Sequence, residues 1–314
     1  MTHRPEKLLL LDSASLYFRA YYGVPESTVA PDGTPVNAVR GFLDFIARLV
    51  TDHRPNLLVC CWDDDWRPAF RVDAIPSYKA HRLVDAAANS EEVPDTLAPQ
   101  VPIIIDVLAA LGIARVGSPG FEADDVIGTL ATQATGPVAI VTGDRDLFQL
   151  VDDGRAVRVL YTAAKGVSNA EVITEDVIAA KYSIPGRAYA DFATLRGDTS
   201  DGLPGVKGIG DKTAAALITD FGSLVEVIAA AQAGDQRIRA GIRQKIVDSL
   251  DYLAVAPRVV HVVTDCPIQP YDDILPTGPA DAGRLDELAL RWGLRSSVNR
   301  VLAALESSAG PPAG

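Results

Sequence analysis

The chain has 314 residues, room for one large domain or for a domain with a substantial appendage. Hydrophobic residues make up 48% and charged residues 22%, which excludes a disordered chain, and no apolar run reaches the length of a membrane span, so no membrane partner is expected. A net charge of −12 is the wrong sign for simple binding to a polyanion; the alternative is that carboxylates gather at one site where divalent cations neutralise them.

The first residues run directly into a strand without a signal-peptide pattern. Cys60, Cys61 and Cys266 make neither a disulfide framework nor a metal knuckle, so a reducing cytoplasmic setting is expected. Short apolar runs at 7–11, 57–62, 113–117, 138–141 and 156–160 predict strands. Helical spacing of apolar residues predicts helices at 36–50, 101–111 and 123–131, then at 171–182 and 188–195. Two-sided apolar strands alternating with helices predict a mostly parallel sheet covered on both faces. From Gly197 onward no strand run appears until 259–263. Turn glycines followed by an Ala-rich helix (205–218), and further helices at 223–231 and 238–250, predict a small helical unit. A last helical pattern at 283–305 is expected to pack back on the first domain, ahead of a Pro/Gly/Ser tail. The expected division is a core over 1–185, a helical region over 186–282, a returning segment over 283–306, and a disordered tail over 307–314.

The acids fall where a sheet-based site would use them. Asp12 ends the first strand and Asp63 the second, followed by Asp64 and Asp65. Glu122, Asp124 and Asp125 open a helix in GFEADDVIG; Asp144 and Asp146 follow a strand in TGDRD; Asp198 and Asp201 sit in RGDTSDGLPG. Strand carboxyl ends share one edge of a parallel sheet, so these acids are expected to converge. Each has a plainer reading as a turn former or helix cap, and for Glu122 alone capping is the commoner role. But a cap needs one acid rather than three in four positions, and packed like charges are tolerated when cations sit among them. All-oxygen donors point to Mg²⁺ or Mn²⁺. His3, His53, His81 and His261 are scattered and are given no ligand role.

At these motifs the sequence resembles the 5′ nuclease family, which includes the N-terminal nuclease domain of bacterial DNA polymerase I, the phage 5′ nucleases and, more distantly, flap endonucleases. The resemblance is carried by LLLLDSASLYFRAYYG, LLVCCWD, AFRVDAIPSYKAHR, GFEADDVIGTLA, AIVTGDRDLFQLV and LRGDTSDGLPGVKGIGDKTAAALI, in the family's order from about Leu8 to about Arg300. It implies an α/β fold, with a PIN-like parallel-sheet nuclease core, a helical arch over about 77–94 and a helix-three-turn-helix DNA-binding module. It also implies a stand-alone member of the family. Matched residue by residue, it implies metal carboxylates at Asp12, Asp63, Glu122, Asp124, Asp125, Asp144, Asp146, Asp198 and Asp201. The stretch from the second-strand acid to Phe70 and Arg71 is one residue longer than the family's pattern. Asp63, favoured by its place at the strand end, and Asp64 therefore both stay open.

Lys79 and Arg82 in IPSYKAHR are spaced i, i+3, so a helix puts both on one face, and for an isolated pair a solvated face is the usual outcome. The resemblance matches them to arch residues that reach the scissile phosphate, where cations stabilise developing charge. Tyr78 is expected to stack on a terminal base and Arg71 to contact phosphate. The run GVKGIGDKT is neither a P-loop nor a dinucleotide fingerprint. It reads as a hairpin between helices in which Gly205, Gly208 and Gly210 permit close backbone approach, Lys207 and Lys212 add charge, and Thr213 stands at the start of the next helix. The resemblance implies a potassium ion in that turn.

The expected function is structure-specific 5′-3′ exonuclease and flap endonuclease activity on DNA, with two or three divalent cations. The expected substrates carry a 5′ flap, a 5′ overhang or a free 5′ end. The expected setting is a monomer near the nucleoid, beside a DNA polymerase and a ligase. Two other readings are a junction-binding protein with a degenerate site, which the repelling acids disfavour, and an RNA-directed nuclease of PIN-toxin type, which would lack the arch and hairpin patterns.

Overall fold

The computed structural model describes residues 7–85 and 90–308. In chain order, strand β1 (Leu8–Asp12) runs straight into helix α1 (Ser13–Gly23), and α2 (Asn37–His53) leads to β2 (Leu57–Cys61). After α3 (Ala69–Ala74) and a 3₁₀ turn at Ala80–Arg82 comes a small antiparallel pair, β3 (Leu83–Asp85) and β4 (Ser90–Glu91). Then follow α4 (Gln100–Leu111), β5 (Ala114–Val116), α5 (Ala123–Gln133), β6 (Val138–Thr142), β7 (Val157–Tyr161) and β8 (Glu171–Ile173). The remainder is helical: α6 (Glu175–Tyr182), α7 (Tyr189–Arg196), α8 (Asp211–Phe221), α9 (Leu224–Gln232), α10 (Ala240–Val247), α11 (Leu250–Val255), α12 (Pro257–Val260), α13 (Ala282–Arg291) and α14 (Arg295–Ser308).

The main sheet has the order β5-β2-β1-β6-β7-β8, parallel throughout except for β8. Every residue of β1 is buried, with Leu8 and Leu10 in the core on one face and Leu9 and Leu11 in the core on the other. That two-sided burial explains the unbroken apolar run, since each face needs its own cover. Helices α2, α4, α13 and α14 supply residues to one face, and α5 with the α7–α12 unit supplies the other. The chain leaves β1 toward β2 and later returns to the opposite side of β1 as β6. This reversal opens a crevice at the carboxyl ends of β1 and β6. The register aligns Asp12 with Cys61 and Leu11 with Val141, so the residues just past β2 and β6 emerge beside Asp12.

The helical unit is continuous with the core. Phe148 and Tyr189 meet edge-on at 5.4 Å, and Tyr189 in turn packs against Phe192 of α7. Among the described residues no single helix is long and apolar enough to cross a membrane.

Three expectations need correction. Residues 259–263 do not form a strand: Pro257 starts the helical turn α12, and Val259 and Val260 are buried in the core. Residues 171–182 are not one helix. Glu171–Ile173 pair antiparallel with β7, and the Thr174 side chain then accepts from Val177 N to start α6. The described part of the arch holds a single 3₁₀ turn and no α-helix. Lys79 has left-handed backbone (φ 48°) and precedes the 3₁₀ turn that ends at Arg82, after which the chain turns into β3. Residues 86–89 of the arch region lie outside the described residues, as does the 309–314 stretch of the tail.

Candidate active site

One cavity of about 440 Å³ opens at the switch between β1 and β6, and Asp12, Asp63, Glu122, Asp124, Asp144 and Asp198 line it together with Lys79 and Arg82. Asp12 caps α1, its Oδ1 accepting from Ser15 N at 3.1 Å while its Oδ2 accepts from Thr142 Oγ1 at 2.6 Å. Thr142 Oγ1 also accepts from Asp144 N at 2.8 Å, so one hydroxyl at the end of β6 ties two acids from different motifs. Asp63 accepts from Ala123 N at 2.8 Å, which anchors the end of β2 to the start of α5. Asp64 instead faces Arg115 at 3.8 Å, away from the cavity wall. Of the two acids at the end of β2, Asp63 lines the cavity and Asp64 does not.

The acids resist ionisation here. Burial raises Asp12 to about 7, with the charges of Asp63 and Asp144 adding to it against the opposing hydrogen bonds of Thr142 and Ser15. Burial likewise raises Glu122 to about 7, although Lys79 and Arg71 pull it down. Asp124 is held well above the usual carboxylate range by burial and then by Asp144 and Asp12. Asp146 is not on the cavity wall, but burial and the charges of Asp144, Asp201 and Asp198 hold it high as well. A crowded set of oxygen donors that repel one another fits a hard cation, which relieves both the desolvation and the repulsion. Among the described residues no three Asp, Glu, His or Cys side chains are arranged as a ready-made metal site.

Lys79 reaches into the cavity with its Nζ 3.0 Å from Glu122 Oε2. Burial is the largest single effect and disfavours the ammonium, but Glu122 together with Tyr78, Asp201 and Asp124 outweighs it and holds the lysine well above its ordinary range. Arg82 Nη2 donates to Asp201 Oδ1 and to Ser200 O, both at 3.0 Å. Asp201 is thereby engaged beside the cavity rather than lining it. Asp198 accepts from Ser200 N at 2.9 Å and from Arg196 Nη2 at 3.3 Å.

Besides Asp146 and Asp201, three further predicted site residues are buried off the cavity wall. Arg71 is 2% exposed, and its guanidinium donates two hydrogen bonds to Asp125 at 2.6 and 2.7 Å and a third to Val259 O. It is a buried internal clamp, out of reach of a DNA phosphate. Asp125 is its partner: fully buried, it also accepts from Glu122 N and Val263 N, which leaves it facing away from the acid-lined cavity. Tyr78, 3% exposed, donates its hydroxyl to Glu122 and so supports a cavity carboxylate from behind, with no ring face free for a base.

The hairpin expected to grip duplex does not line this cavity, although Arg196 links its Asp211, at 3.8 Å, to Asp198 of the cavity wall, at 3.3 Å. Lys207, Gly208, Gly210 and Lys212 are exposed, and Thr213 is half-buried at the start of α8. Gly205 is buried instead. It has φ +63°, and a Cβ there would lie 2.5 Å from the Arg196 carbonyl and Gly197 N, so its close approach is to its own chain. Sequence reasoning missed Thr142, whose only signal is a polar residue ending a buried strand before an acidic loop. It also missed Glu91, which lines the cavity from β4 where no motif marks it.

Fold and cavity together define a PIN-like nuclease joined to a SAM-like helical domain. The profile of the 5′-3′ exonuclease N-terminal resolvase-like domain matches residues 7–183, and that of the 5′-3′ exonuclease C-terminal SAM fold matches residues 184–282. The chain belongs to the 5′-3′ exonuclease family and is a nuclease. It is 59% identical over 300 residues to a 5′-3′ exonuclease of Streptomyces coelicolor, covering 95% of this chain and 99% of the relative. It is 50% identical to a 5′-3′ exonuclease of Mycobacterium tuberculosis, covering 96% and 99%. A DNA polymerase I of Mycobacterium bovis is 38% identical over 97% of this chain, but the match covers 32% of that protein. Among solved structures, the T5 D15 protein co-crystallised with metal ions superposes with a TM-score of 0.62 at 16% identity, covering 97% of this chain and 100% of that one. The catalytic core of Rad2 in complex with DNA substrate gives 0.61 at 18%, covering 96% and 93%.

Proposed function

We propose that this nuclease cuts DNA near 5′ ends and 5′ flaps, in a reaction supported by divalent cations, leaving a 5′-phosphate and a 3′-hydroxyl. The observation that carries this reading is the convergence of acids from five separate motifs on one cavity that also holds Lys79 and Arg82. The metal-bound T5 protein and the DNA-bound Rad2 core, which share the fold, support it by analogy. Asp12, Asp63, Glu122, Asp124, Asp144 and Asp198 are the residues that would hold two or three Mg²⁺ or Mn²⁺ ions, with Asp146 and Asp201 beside them. Such ions supply an activated water and stabilise a leaving oxygen in phosphodiester hydrolysis.

The chain's own residues supply the rest. Arg82, at the cavity wall, and Lys79, beside Glu122, would meet the non-bridging oxygens of a phosphate and stabilise the charge that develops on them. Lys207 and Lys212 on the exposed hairpin hold duplex backbone without reading sequence. Pairs near a 5′ end or junction fray at the cost of only a few kcal/mol, by analogy with base flipping, and this favours such substrates over continuous duplex. A potassium ion held by backbone carbonyls of the hairpin would add to its grip on the duplex backbone. Gly208 O already accepts from Lys245 Nζ at 3.2 Å, and an ion at that carbonyl would displace the ammonium. The products suit extension by a polymerase and sealing by a ligase, and the reading places a monomer at the nucleoid in replication and repair.

The test is cleavage of a 5′-labelled flap duplex with Mg²⁺, with Mn²⁺ and with chelator, using wild type and Asp144→Asn. Metal-dependent cutting near the junction that the substitution abolishes is the expected result. Binding without cutting under every metal condition would overturn the catalytic reading and favour a junction-binding protein.

A further inference from the structure

A groove of about 780 Å³ runs from the active-site cavity along α1 and α2 to the loop after β7. Ser15 and Phe18 line both spaces, so the two are continuous. Along the groove stand the rings of Phe18, Tyr22 and Phe45 and the cations Arg19 and Lys165, and no acidic side chain lines it among the described residues. In a chain of net charge −12, an acid-free groove directly beside a carboxylate-walled cavity marks a change of electrostatic environment. Tyr22 is 73% exposed, an uncovered aromatic surface, and Lys165 is exposed opposite it on the loop. Arg19 Nε is buried with no hydrogen-bond partner, and Arg19 Nη2 lies 3.6 Å from where a Cβ on Gly143 would sit, at the lip of the cavity.

Rings for stacking interleaved with cations for phosphate form the recognition chemistry of single-stranded nucleic acid, and the absence of acids removes the repulsion that dominates the cavity. We propose that this groove holds the single-stranded run of the uncleaved, complementary strand where it continues past the end of pairing. The proposal rests on the nuclease reading above. Lys79 and Arg82 enter the cavity from the segment after β2 and serve the cleaved strand, whereas α1 and the 162–169 loop follow β1 and β7. The groove therefore opens on the other side of the cavity, where the second strand must pass once the two separate.

Fluorescence anisotropy in chelator tests this without competing cleavage, on three duplexes of identical paired sequence. One carries a 3′ single-stranded tail on the complementary strand beyond the scissile 5′ end, one is blunt, and one carries a 5′ tail on the cleaved strand alone. The wild type should bind the 3′-tailed duplex more tightly than the blunt one. The double variant Tyr22→Ala, Lys165→Ala, at exposed positions that leave the fold intact, should weaken the 3′-tailed complex about tenfold, the effect of losing roughly one stacked base. Its affinity for the blunt and 5′-tailed duplexes should stay at the wild-type value. Equal weakening on all three, loss confined to the 5′-tailed duplex, or no loss at all would each overturn the assignment. Cleavage by the wild type in Mg²⁺ is followed in parallel. Tail-specific loss of binding without any cutting would sink the catalytic reading and leave the groove, and cutting without tail-specific loss would do the reverse.

Discussion

Asp12 and Glu122 stand in one cavity wall but are held in opposite ways. Asp12 leans on neutral donors, Thr142 and Ser15, whereas Glu122 takes its hydrogen bonds from Tyr78 and the ammonium of Lys79. Burial is the first cause that lifts both to about 7. In the unfolded chain these carboxyls titrate near ~4, so the folded state binds their protons more tightly. Their contribution to stability is fully present below that unfolded value and is lost as pH rises through about 7. A divalent cation that binds the ionised carboxylates compensates only where they are ionised. Mg²⁺ should therefore raise the Tm far more at pH 8 than at pH 5, by the equivalent of about 2.7 kcal/mol at a hundredfold excess over Kd. Thermal unfolding with and without Mg²⁺ at the two pH values measures this, and an equal gain at both would place the ion elsewhere. Arg71 makes a second residue-level case. Its removal strands Asp125 as an unpaired buried carboxylate, so Arg71→Ala should cost about 3–5 kcal/mol in denaturant unfolding. Arg71→Met with Asp125→Leu should recover much of that loss. Wild-type stability with weakened DNA binding in the single variant would restore the phosphate-contact role instead.

At the scale of elements, the base of the arch is latched to the loop that carries Asp198 and Asp201. Ser77 Oγ donates to Gly202 O at 2.8 Å, Lys79 N donates to Asp201 O at 2.9 Å, and Arg82 closes the contact through Ser200 and Asp201. The latch depends on Gly202, which has φ +72° and whose added Cβ would fall 2.1 Å from Ser77 O. Gly202→Ala should therefore slow single-turnover cleavage on flap substrates while leaving duplex affinity in chelator, read at the separate hairpin, unchanged. Parallel loss of both quantities would mean that the loop acts on the helical unit as a whole. The same region shows where sequence reading ran out. The strands and most helices were legible because two-sided apolar runs and helical spacing report burial directly, and the acids were legible because β-strand register carries them to one edge. The arch base was not, because its conformation is set by contacts with Gly202 and Ser200, more than a hundred residues away. Arg71 and Tyr78 misled for a related reason: a basic or aromatic side chain beside a site has the same sequence signature whether it points out to substrate or in to a carboxylate. Val259 and Val260 favour a strand by their branching, yet Pro257 and the burial of α12 against the core make them helical.

For the whole molecule, the net charge of −12 conceals a division of labour among separate surfaces. The cavity concentrates carboxylates, while Lys207 and Lys212 project from the hairpin on a unit joined to the core by aromatic packing and by hydrogen bonds such as that of Arg71 to Val259 O. On the proposed reading, duplex at the hairpin would meet Lys207 and Lys212, and the repulsion from the cavity would fall mainly on the strand that enters it. Each lysine that neutralises a phosphate releases condensed counterions and adds close to ~0.9 to the slope of log affinity against log salt on B-form DNA. Replacing both Lys207 and Lys212 with Ala should thus make that slope shallower by about 2 for a blunt duplex in chelator, with weakening that is uniform across sequences. The cut strand adds a second, metal-dependent component. Mg²⁺ should strengthen binding of a flap substrate, whose strand reaches the cavity, more than it strengthens binding of a blunt duplex at matched ionic strength. The two effects should add, because hairpin and cavity are distinct sites. If the lysine substitutions instead erased the Mg²⁺ effect, duplex grip and cavity entry would be a single coupled step, and the hairpin would act on catalysis rather than on affinity alone.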